Sequence, residues 1–328
     1  MNMTRLFRSR YLGVAARGMA MGAADVVPGV SGGTIAFITG IYTELLDSIS
    51  RIGPHCITVL RRHGIAVTWQ YINGNFLLAL FCGILFSIFT LARVIGHLLE
   101  TYPIVLWAFF FGLVLASAVP ILRSIPRWSG SVVLFLLAGA AMAVLISELR
   151  PGQVPATPLT LFLSGALAIC AMILPGISGS FILLLIGIYP RVLAAVHELQ
   201  LLNLLCFAAG AATGLLMFSR LLSWLMHRYI ARSLAFLAGI LLGSLKIIWP
   251  WKLPLVGIAG DGDKLAPLMS NASPQGYEAH TGDSAYLAAA LAAAVAAATL
   301  VLSVDYLGRR HRALHSQCAN SQRITQDR

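Results

Sequence analysis

Residues 25–35 read Asp-Val-Val-Pro-Gly-Val-Ser-Gly-Gly-Thr-Ile, and the chain continues from there to Gly40-Ile41-Tyr42. A second stretch, Pro175-Gly176-Ile177-Ser178-Gly179-Ser180, continues in the same way to Gly187-Ile188-Tyr189. Aligned without gaps, 28–49 and 175–196 share nine identities. Proline lacks a backbone N–H and glycine weakens helical order, so Pro28-Gly29 and Pro175-Gly176 each predict a break in a helix.

Both breaks lie in a chain whose composition is that of a membrane protein. Its 328 residues are 58% hydrophobic and only 11% charged, and the mean hydropathy is +0.83. Soluble domains carry about 25% charged residues. Apolar runs of about 20 residues, the length that a helix needs to cross a bilayer, recur along the sequence. We therefore predict an all-α polytopic membrane protein.

The apolar runs predict six full spans and two re-entrant hairpins. The hairpins cover about 11–48 and 159–197, because two short helices flank each break and neither arm of the first covers about 30 Å of hydrocarbon. We interpret the basic stretch at 51–75 and the polar stretch at 252–284 as loops. The six predicted spans are 76–98, 103–122, 131–149, 203–226, 233–250 and 285–307.

The placement of the basic residues predicts which side each loop faces. The net charge is +11, but the basic residues stand at the ends of apolar segments, as the positive-inside bias expects, and we predict no nucleic-acid partner. With the N-terminus in the cytoplasm, the loops with Arg51–Arg62, Arg123–Arg127 and Arg228–Arg232 and the C-terminal tail fall inside. The 252–284 loop falls outside, and Arg150 is the clear exception. Both termini are therefore predicted to be cytoplasmic.

The two halves of the chain resemble each other beyond the hairpins. Residues 76–117 align with 203–244, and three spans separate the two hairpins, so an inverted-topology repeat is predicted. We expect one integral domain over 1–308, with repeat 1 at about 11–122, repeat 2 at about 158–250 and an extra span at 285–307, followed by a basic cytoplasmic tail at 309–328. The matched pairs are Gly83/Gly210, Arg93/Arg220, Tyr102/Tyr229, Phe109/Phe236, Gly112/Gly239 and Ser117/Ser244.

The residues after each break form a candidate phosphate site. A helix that begins there offers free N–H groups and about half a positive charge, and glycines let a ligand approach the backbone. The alternative is that glycine and serine only permit close helix packing. The candidate residues are Ser31, Gly32, Gly33 and Thr34 in the first copy and Ser178, Gly179 and Ser180 in the second.

Charged residues inside apolar sequence are the other candidates. Arg93 and Arg220 occupy equivalent repeat positions, and a guanidinium can bind phosphate through two parallel hydrogen bonds. Snorkelling to the membrane surface is the alternative. Asp25 and Glu44 are candidates for proton or ion coupling, although a charge at a helix end would also explain Glu44. The five cysteines and eight histidines show no metal-binding spacing, so we expect no metal and no cofactor.

The run over 18–34, Gly-Met-Ala-Met-Gly-Ala-Ala-Asp-Val-Val-Pro-Gly-Val-Ser-Gly-Gly-Thr, resembles the signature of the DUF368 membrane protein family. The stretch at 174–180 resembles it too, and the similarity covers about 10–250. The resemblance implies translocation of undecaprenyl phosphate, the bacterial lipid carrier, back across the cytoplasmic membrane for reuse. It therefore implies a lipid flippase rather than an enzyme, in the bacterial inner membrane, with a polyprenyl phosphate as its ligand. Oligomeric state does not follow from it.

Two other functions compete with that interpretation. A polyprenyl-diphosphate phosphatase also has inverted repeats and a Pro-Gly-x-Ser motif, but there the motif continues with Arg-Ser-Gly, whereas Gly179-Ser180-Phe181 follows here. The acidic cluster that would bind metal and activate water is also missing near either break. A small-anion secondary transporter is the second alternative. Release of phosphate from a lipid diphosphate would identify the enzyme, and competition by a tail-free headgroup would favour the small-anion carrier.

Overall fold

A computed structural model describes residues 3–26, 30–149, 154–155, 157–254 and 269–326. Pro28 and Gly29 of the first predicted break, and Arg150, lie outside these ranges. The described chain is helical apart from one short strand pair. Its elements are α1 (Met3–Asp25), α2 (Gly32–Ile38), α3 (Tyr42–Ser50), α4 (Pro54–Tyr71), α5 (Gly74–Thr101), α6 (Pro103–Arg123), α7 (Gly130–Glu148), α8 (Pro158–Ile173), α9 (Gly179–Ile186), α10 (Tyr189–His197), α11 (Leu201–Arg228), α12 (Ile230–Ser244), β1 (Lys252–Pro254), β2 (Met269–Asn271), α13 (Pro274–Thr281) and α14 (Leu287–Gln326).

Five of the described helices are long and apolar enough to cross a bilayer. They are α5, α6, α7, α11 and the Leu287–Tyr306 part of α14, and each coincides with a predicted span. Counting the bent pair α9 and α10 as one span raises the number to six. The span predicted at 233–250 is shorter than expected, because α12 has 15 residues and ends at Ser244. The chain is an all-α, multi-pass membrane protein.

Each hairpin contains three helices, where the sequence predicted two. The additional break falls at Gly40 and at Gly187, whose φ angles of +72° and +79° lie in the left-handed region that glycine tolerates. The Ile41 N–H donates to the Ala36 carbonyl at 3.0 Å, and the Ile188 N–H donates to Leu183 in the same way. In the second hairpin this break turns α10 by 107° from α9. The prediction of one continuous second arm was therefore wrong.

Other boundaries also differ from the prediction. The first helix begins at Met3 rather than at 11, and the predicted basic loop is the helix α4, with proline in its first turn and a bend at Gly64. Proline favours a helix start because its φ angle is already helical. The predicted outer loop is partly ordered, since β1 and β2 pair antiparallel there with Lys252 opposite Asn271.

Glycines allow the helices to pack in close pairs. A Cβ at Gly18 on α1 would collide with the Leu80 carbonyl on α5, and one at Gly210 on α11 would collide with the Phe162 carbonyl on α8. The helix that enters each hairpin therefore packs directly on the long helix that follows the hairpin. Small residues at such contacts are typical of membrane helix pairs.

The last span packs in the same way as α7 does. A Cβ at Gly112 on α6 would meet the Ala294 carbonyl on α14, and one at Gly239 on α12 would meet the Leu136 carbonyl on α7. Gly112 and Gly239 are a matched pair of the sequence alignment. The helix α14, which the sequence left as an extra span, therefore has the relation to α6 that α7 has to α12. The inverted orientation of the two halves stays a prediction.

Candidate functional site

The first candidate anion site is occupied by a side chain of the protein itself. The Gly32 N–H, at the start of α2, donates to Asp25 Oδ1 at 2.6 Å. The Gly33 N–H donates to Ser31 Oγ at 3.1 Å, so Ser31 is the N-cap of α2. A carboxylate at a helix N-terminus satisfies unpaired N–H groups and the positive end of the dipole. Asp25 thus takes the place that the sequence assigned to a phosphate.

The two hairpins meet at their breaks. Ser31 Oγ, fully buried, donates to the Met172 carbonyl at 2.8 Å, at the end of α8. The Gly176 N–H donates to Thr34 Oγ1 at 3.0 Å. The Tyr42 hydroxyl donates to the Ile173 carbonyl at 3.2 Å. These contacts use the hydroxyls of Ser31 and Thr34 to join the hairpins, so neither is free for a ligand in this structure.

The second candidate site has no side-chain cap. Ser178 is the N-cap residue of α9, but its hydroxyl makes no capping bond and instead lies 2.8 Å from the Ser180 hydroxyl. The N–H groups of Gly179 and Ser180 donate to no residue that the structure describes. Met172 takes the sequence position that Asp25 has in the first hairpin. At the buried start of α9, two N–H groups therefore have no described partner, and the two hydroxyls are paired with each other.

The predicted arginines lie elsewhere. Arg220 donates from Nε to the Ser50 carbonyl at 3.1 Å and from an Nη to the Ile52 carbonyl at 2.8 Å, so it binds the C-terminal end of α3. Arg93 is exposed on α5 and forms no hydrogen bond or ion pair with any described residue. Neither guanidinium contacts the start of α2 or α9, and their binding of phosphate stays a prediction.

The acidic candidates differ in their surroundings. Glu44 accepts from Arg10 at 3.1 Å and from Asn73 Nδ2 at 2.9 Å, in an arrangement that suits a charge at a helix end. Asp25, in contrast, lies at the meeting point of the hairpins. A coupling role for either residue stays a prediction.

Sequence reasoning gave no role to a polar contact between α3 and α11. Asp47 Oδ1 accepts from the Ser223 hydroxyl at 2.5 Å, and Asp47 Oδ2 lies 3.7 Å from His227 Nε2. His227 and Ser223 are one helical turn apart and close to Arg220, which is the signal that could have indicated a shared face.

Metal binding finds no support in the arrangement of side chains. Within the described ranges, no three His, Cys, Asp or Glu residues come together in a way that could hold an ion. The oxygen and nitrogen donors at the start of α9 are hydroxyls and backbone N–H groups, which suit an anion rather than a cation.

Comparison with known proteins identifies the family of this two-hairpin architecture. Residues 21–260 match the family described as undecaprenyl phosphate translocase-like. The chain belongs to this family. A polyprenyl-phosphate transporter of Vibrio cholerae serotype O1 is 51% identical over 296 residues, which cover 90% of this chain and 96% of that protein. A polyprenyl-phosphate transporter of Staphylococcus aureus is 33% identical over 253 residues, covering 71% and 84%. No solved structure matches significantly. The matched region of the translocase-like family includes both breaks and all of the second hairpin.

Proposed function

We propose that this chain moves undecaprenyl phosphate from one leaflet of the bacterial cytoplasmic membrane to the other without breaking a bond. The relatives are named polyprenyl-phosphate transporters, and the helix N-terminus of α9 supplies the chemistry that a phosphate headgroup needs. The observation that carries the proposal is the difference between the two hairpins. One N-terminus is capped by Asp25, while at the other the Gly179 and Ser180 N–H groups have no described acceptor.

The headgroup binds at the start of α9. Ser178 and Ser180 can each turn a hydroxyl toward a phosphate oxygen, and the Gly179 N–H adds the positive end of the helix dipole. Hydrogen bonds to a charged group are roughly twice as strong as neutral ones. The prenyl tail stays among the lipid acyl chains, so the protein needs to provide a polar route only for the headgroup. Ser31 and Thr34 contribute by holding the first hairpin against the second, while Gly32 and Gly33 bind Asp25 and Ser31 within the first hairpin.

Transport is tested with purified protein in liposomes that contain a labelled polyprenyl phosphate. The label's accessibility in each leaflet and the release of free phosphate are followed together, with and without ion gradients. We expect accessibility to change with the protein present and free phosphate to stay at background. Unchanged accessibility under every gradient would refute transport. Phosphate that appears as fast as lipid disappears would instead indicate a phosphatase, and inhibition by a tail-free headgroup a small-anion carrier.

The binding site is tested by giving the second hairpin the carboxylate of the first. Met172→Asp places an acid where Asp25 stands in the first hairpin, and we expect it to occupy the N-terminus of α9 and weaken binding of polyprenyl phosphate by about tenfold or more. Met172→Asn is the matched control, because it has the same size without the charge. Equal binding by the two variants would place the phosphate elsewhere.

A second pair of variants removes donors at the same place. Ser178→Ala with Ser180→Ala deletes both hydroxyls, and we expect about tenfold weaker binding because each could donate to a charged oxygen. Ser303→Ala on the exposed face of α14 is the control for a serine remote from the hairpins. Wild-type affinity in the double variant would contradict the proposed site.

A further inference from the structure

Arg93 and Arg220, which occupy matched positions in the two repeats, have different contacts in this structure. Arg220 binds the Ser50 and Ile52 carbonyls at the end of α3, and we call this contact the Arg220 latch. The cation also faces the negative end of the α3 dipole. Gly53 lies directly against the guanidinium, where a Cβ would collide with it. The Arg220 latch therefore fixes α3, which we call the outer arm of the first hairpin, to α11.

The sequence alignment predicts an equivalent contact for the second hairpin. Arg93 on α5 corresponds to Arg220, while His197 and Leu199 correspond to Ser50 and Ile52. The His197 and Leu199 carbonyls lie at the end of α10 and accept no hydrogen bond from any described residue. Arg93 also has no partner among the described residues. Donor and acceptors are present, but the contact is not formed.

The packing of the two outer arms, α3 and α10, also differs. Leu46 on α3 and Leu193 on α10 are identical residues at matched positions, yet Leu46 is 1% exposed and Leu193 is 45% exposed. The helix α3 packs along α11, whereas α10 has no comparable contact with α5. The helix α3 is docked on α11, the long helix of the other half, whereas its counterpart α10 is not docked on α5.

The contacts between the breaks provide a pivot for exchanging these states. Glycine contacts tie α1 to α5 and α8 to α11, which makes each hairpin and its long helix one unit. The two units meet at the hydrogen bonds from Ser31 to Met172 and from Gly176 to Thr34. The α3–α11 contact and the α10–α5 gap belong to opposite hairpins. Rocking about the breaks would close one as it opens the other.

We propose that Arg93 and Arg220 are alternating positioning residues, and that in a second state Arg93 binds the His197 and Leu199 carbonyls while the Arg220 latch is open. We call that second contact the Arg93 latch. This proposal rests on the proposed transport function, because it describes how the route for the headgroup opens to each side in turn.

Two cysteine pairs distinguish the states in a variant without native cysteines. Asp47→Cys with Ser223→Cys reports the state seen here, because these side chains are in contact. Gly96→Cys with Ala194→Cys are the matched positions and report the second state. A side chain at Gly96 meets no atom within 4 Å, so the position accepts cysteine. Glu148→Cys with Lys246→Cys is the control pair, since this ion pair joins the end of α7 to the turn that follows α12, outside the moving units.

The rates of disulfide formation are measured in liposomes containing polyprenyl phosphate. We expect both reporter pairs to cross-link, and each cross-link to stop transport until it is reduced. Arg93→Ala should slow the 96–194 cross-link about threefold or more, because it removes charged hydrogen bonds to two carbonyls. Arg220→Ala should slow the 47–223 cross-link and speed the 96–194 one. Arg93→Lys, which keeps the charge but loses the fork, should be intermediate.

Two results would overturn the proposal, and the control pair shows that each variant is folded. The first is a 96–194 pair that never cross-links, even with Arg220→Ala. The second is an Arg93→Ala variant whose cross-linking is unchanged. If that variant also binds lipid phosphate more weakly, Arg93 would be assigned to the headgroup. If the 47–223 and 96–194 cross-links respond to the arginine variants as expected but the protein does not transport, the proposed function would be refuted while the two latches would be supported.

Discussion

At the scale of single residues, one difference between the hairpins underlies the proposed site. Asp25 and Met172 occupy matched positions, and only the acid can bind the N-terminus of the helix that follows. The sequence predicted that both N-termini would suit an anion, and binding of an anion at either one stays a prediction. It could not predict that Asp25 folds back seven residues along the chain onto Gly32, because that contact depends on the backbone path through the break.

Substitution of Thr34 tests the hydrogen bond that joins the two breaks. Its hydroxyl accepts from the buried Gly176 N–H, and its side chain is fully buried. Thr34→Val keeps the shape but leaves that N–H without a partner, so we expect a loss of about 1–3 kcal/mol of stability. Thr34→Ser keeps the acceptor and should lose less. The apparent unfolding midpoint in detergent measures both variants.

The test also separates a structural role for Thr34 from a role in binding the headgroup. Stability near wild type in Thr34→Val, together with weaker binding of polyprenyl phosphate, would return Thr34 to the phosphate site that the sequence predicted. Lower stability with normal binding in the folded fraction would keep it as a joint between the hairpins.

At the scale of elements, the strongly apolar helices were predictable and the short ones were not. Spans such as α5 and α7 follow directly from apolar length. The breaks at Gly40 and Gly187 were already visible as identities between the two copies, but glycine in apolar sequence can equally sit inside a helix. The helix α4 was missed because Arg61, Arg62 and His63 interrupt its apolar sequence, and its backbone bends at Gly64.

Helix pairing through glycine yields a prediction for α8 and α11. Gly210 lies so close to the Phe162 carbonyl that an added Cβ would collide with backbone, which cannot move aside as a side chain can. We expect Gly210→Ala to lower the unfolding midpoint and the folded yield, although alanine is the better helix former by about 1 kcal/mol. Gly13→Ala is the matched control, because a Cβ there meets no atom within 4 Å. A Gly210→Ala protein as stable as Gly13→Ala would mean that α8 and α11 pack less tightly than described.

At the scale of the whole molecule, the sequence could not predict which distant helices pack against each other. The likeness between α7 and α14 is too weak to read from residue identities, since both are runs of alanine, leucine and valine. Their equivalence appears only in packing, where α14 meets α6 as α7 meets α12. Apart from α4 and α13, each half of the described chain then contains a hairpin and three further helices, which is the arrangement that the proposed pair of latches requires.

The side of the membrane on which each end lies is the last prediction. The distribution of arginine predicts that both termini are cytoplasmic and that α13 lies outside. Single cysteines at Ser273, the N-cap of α13, and at Ser316 in the C-terminal tail are introduced into a variant without native cysteines. An impermeant thiol reagent, applied to cells whose outer barrier is permeabilised, should label Ser273→Cys but not Ser316→Cys. Labelling of Ser316→Cys should appear only after the cytoplasmic membrane is opened. The reverse pattern would invert the predicted topology and exchange the sides of the membrane on which the two latches lie.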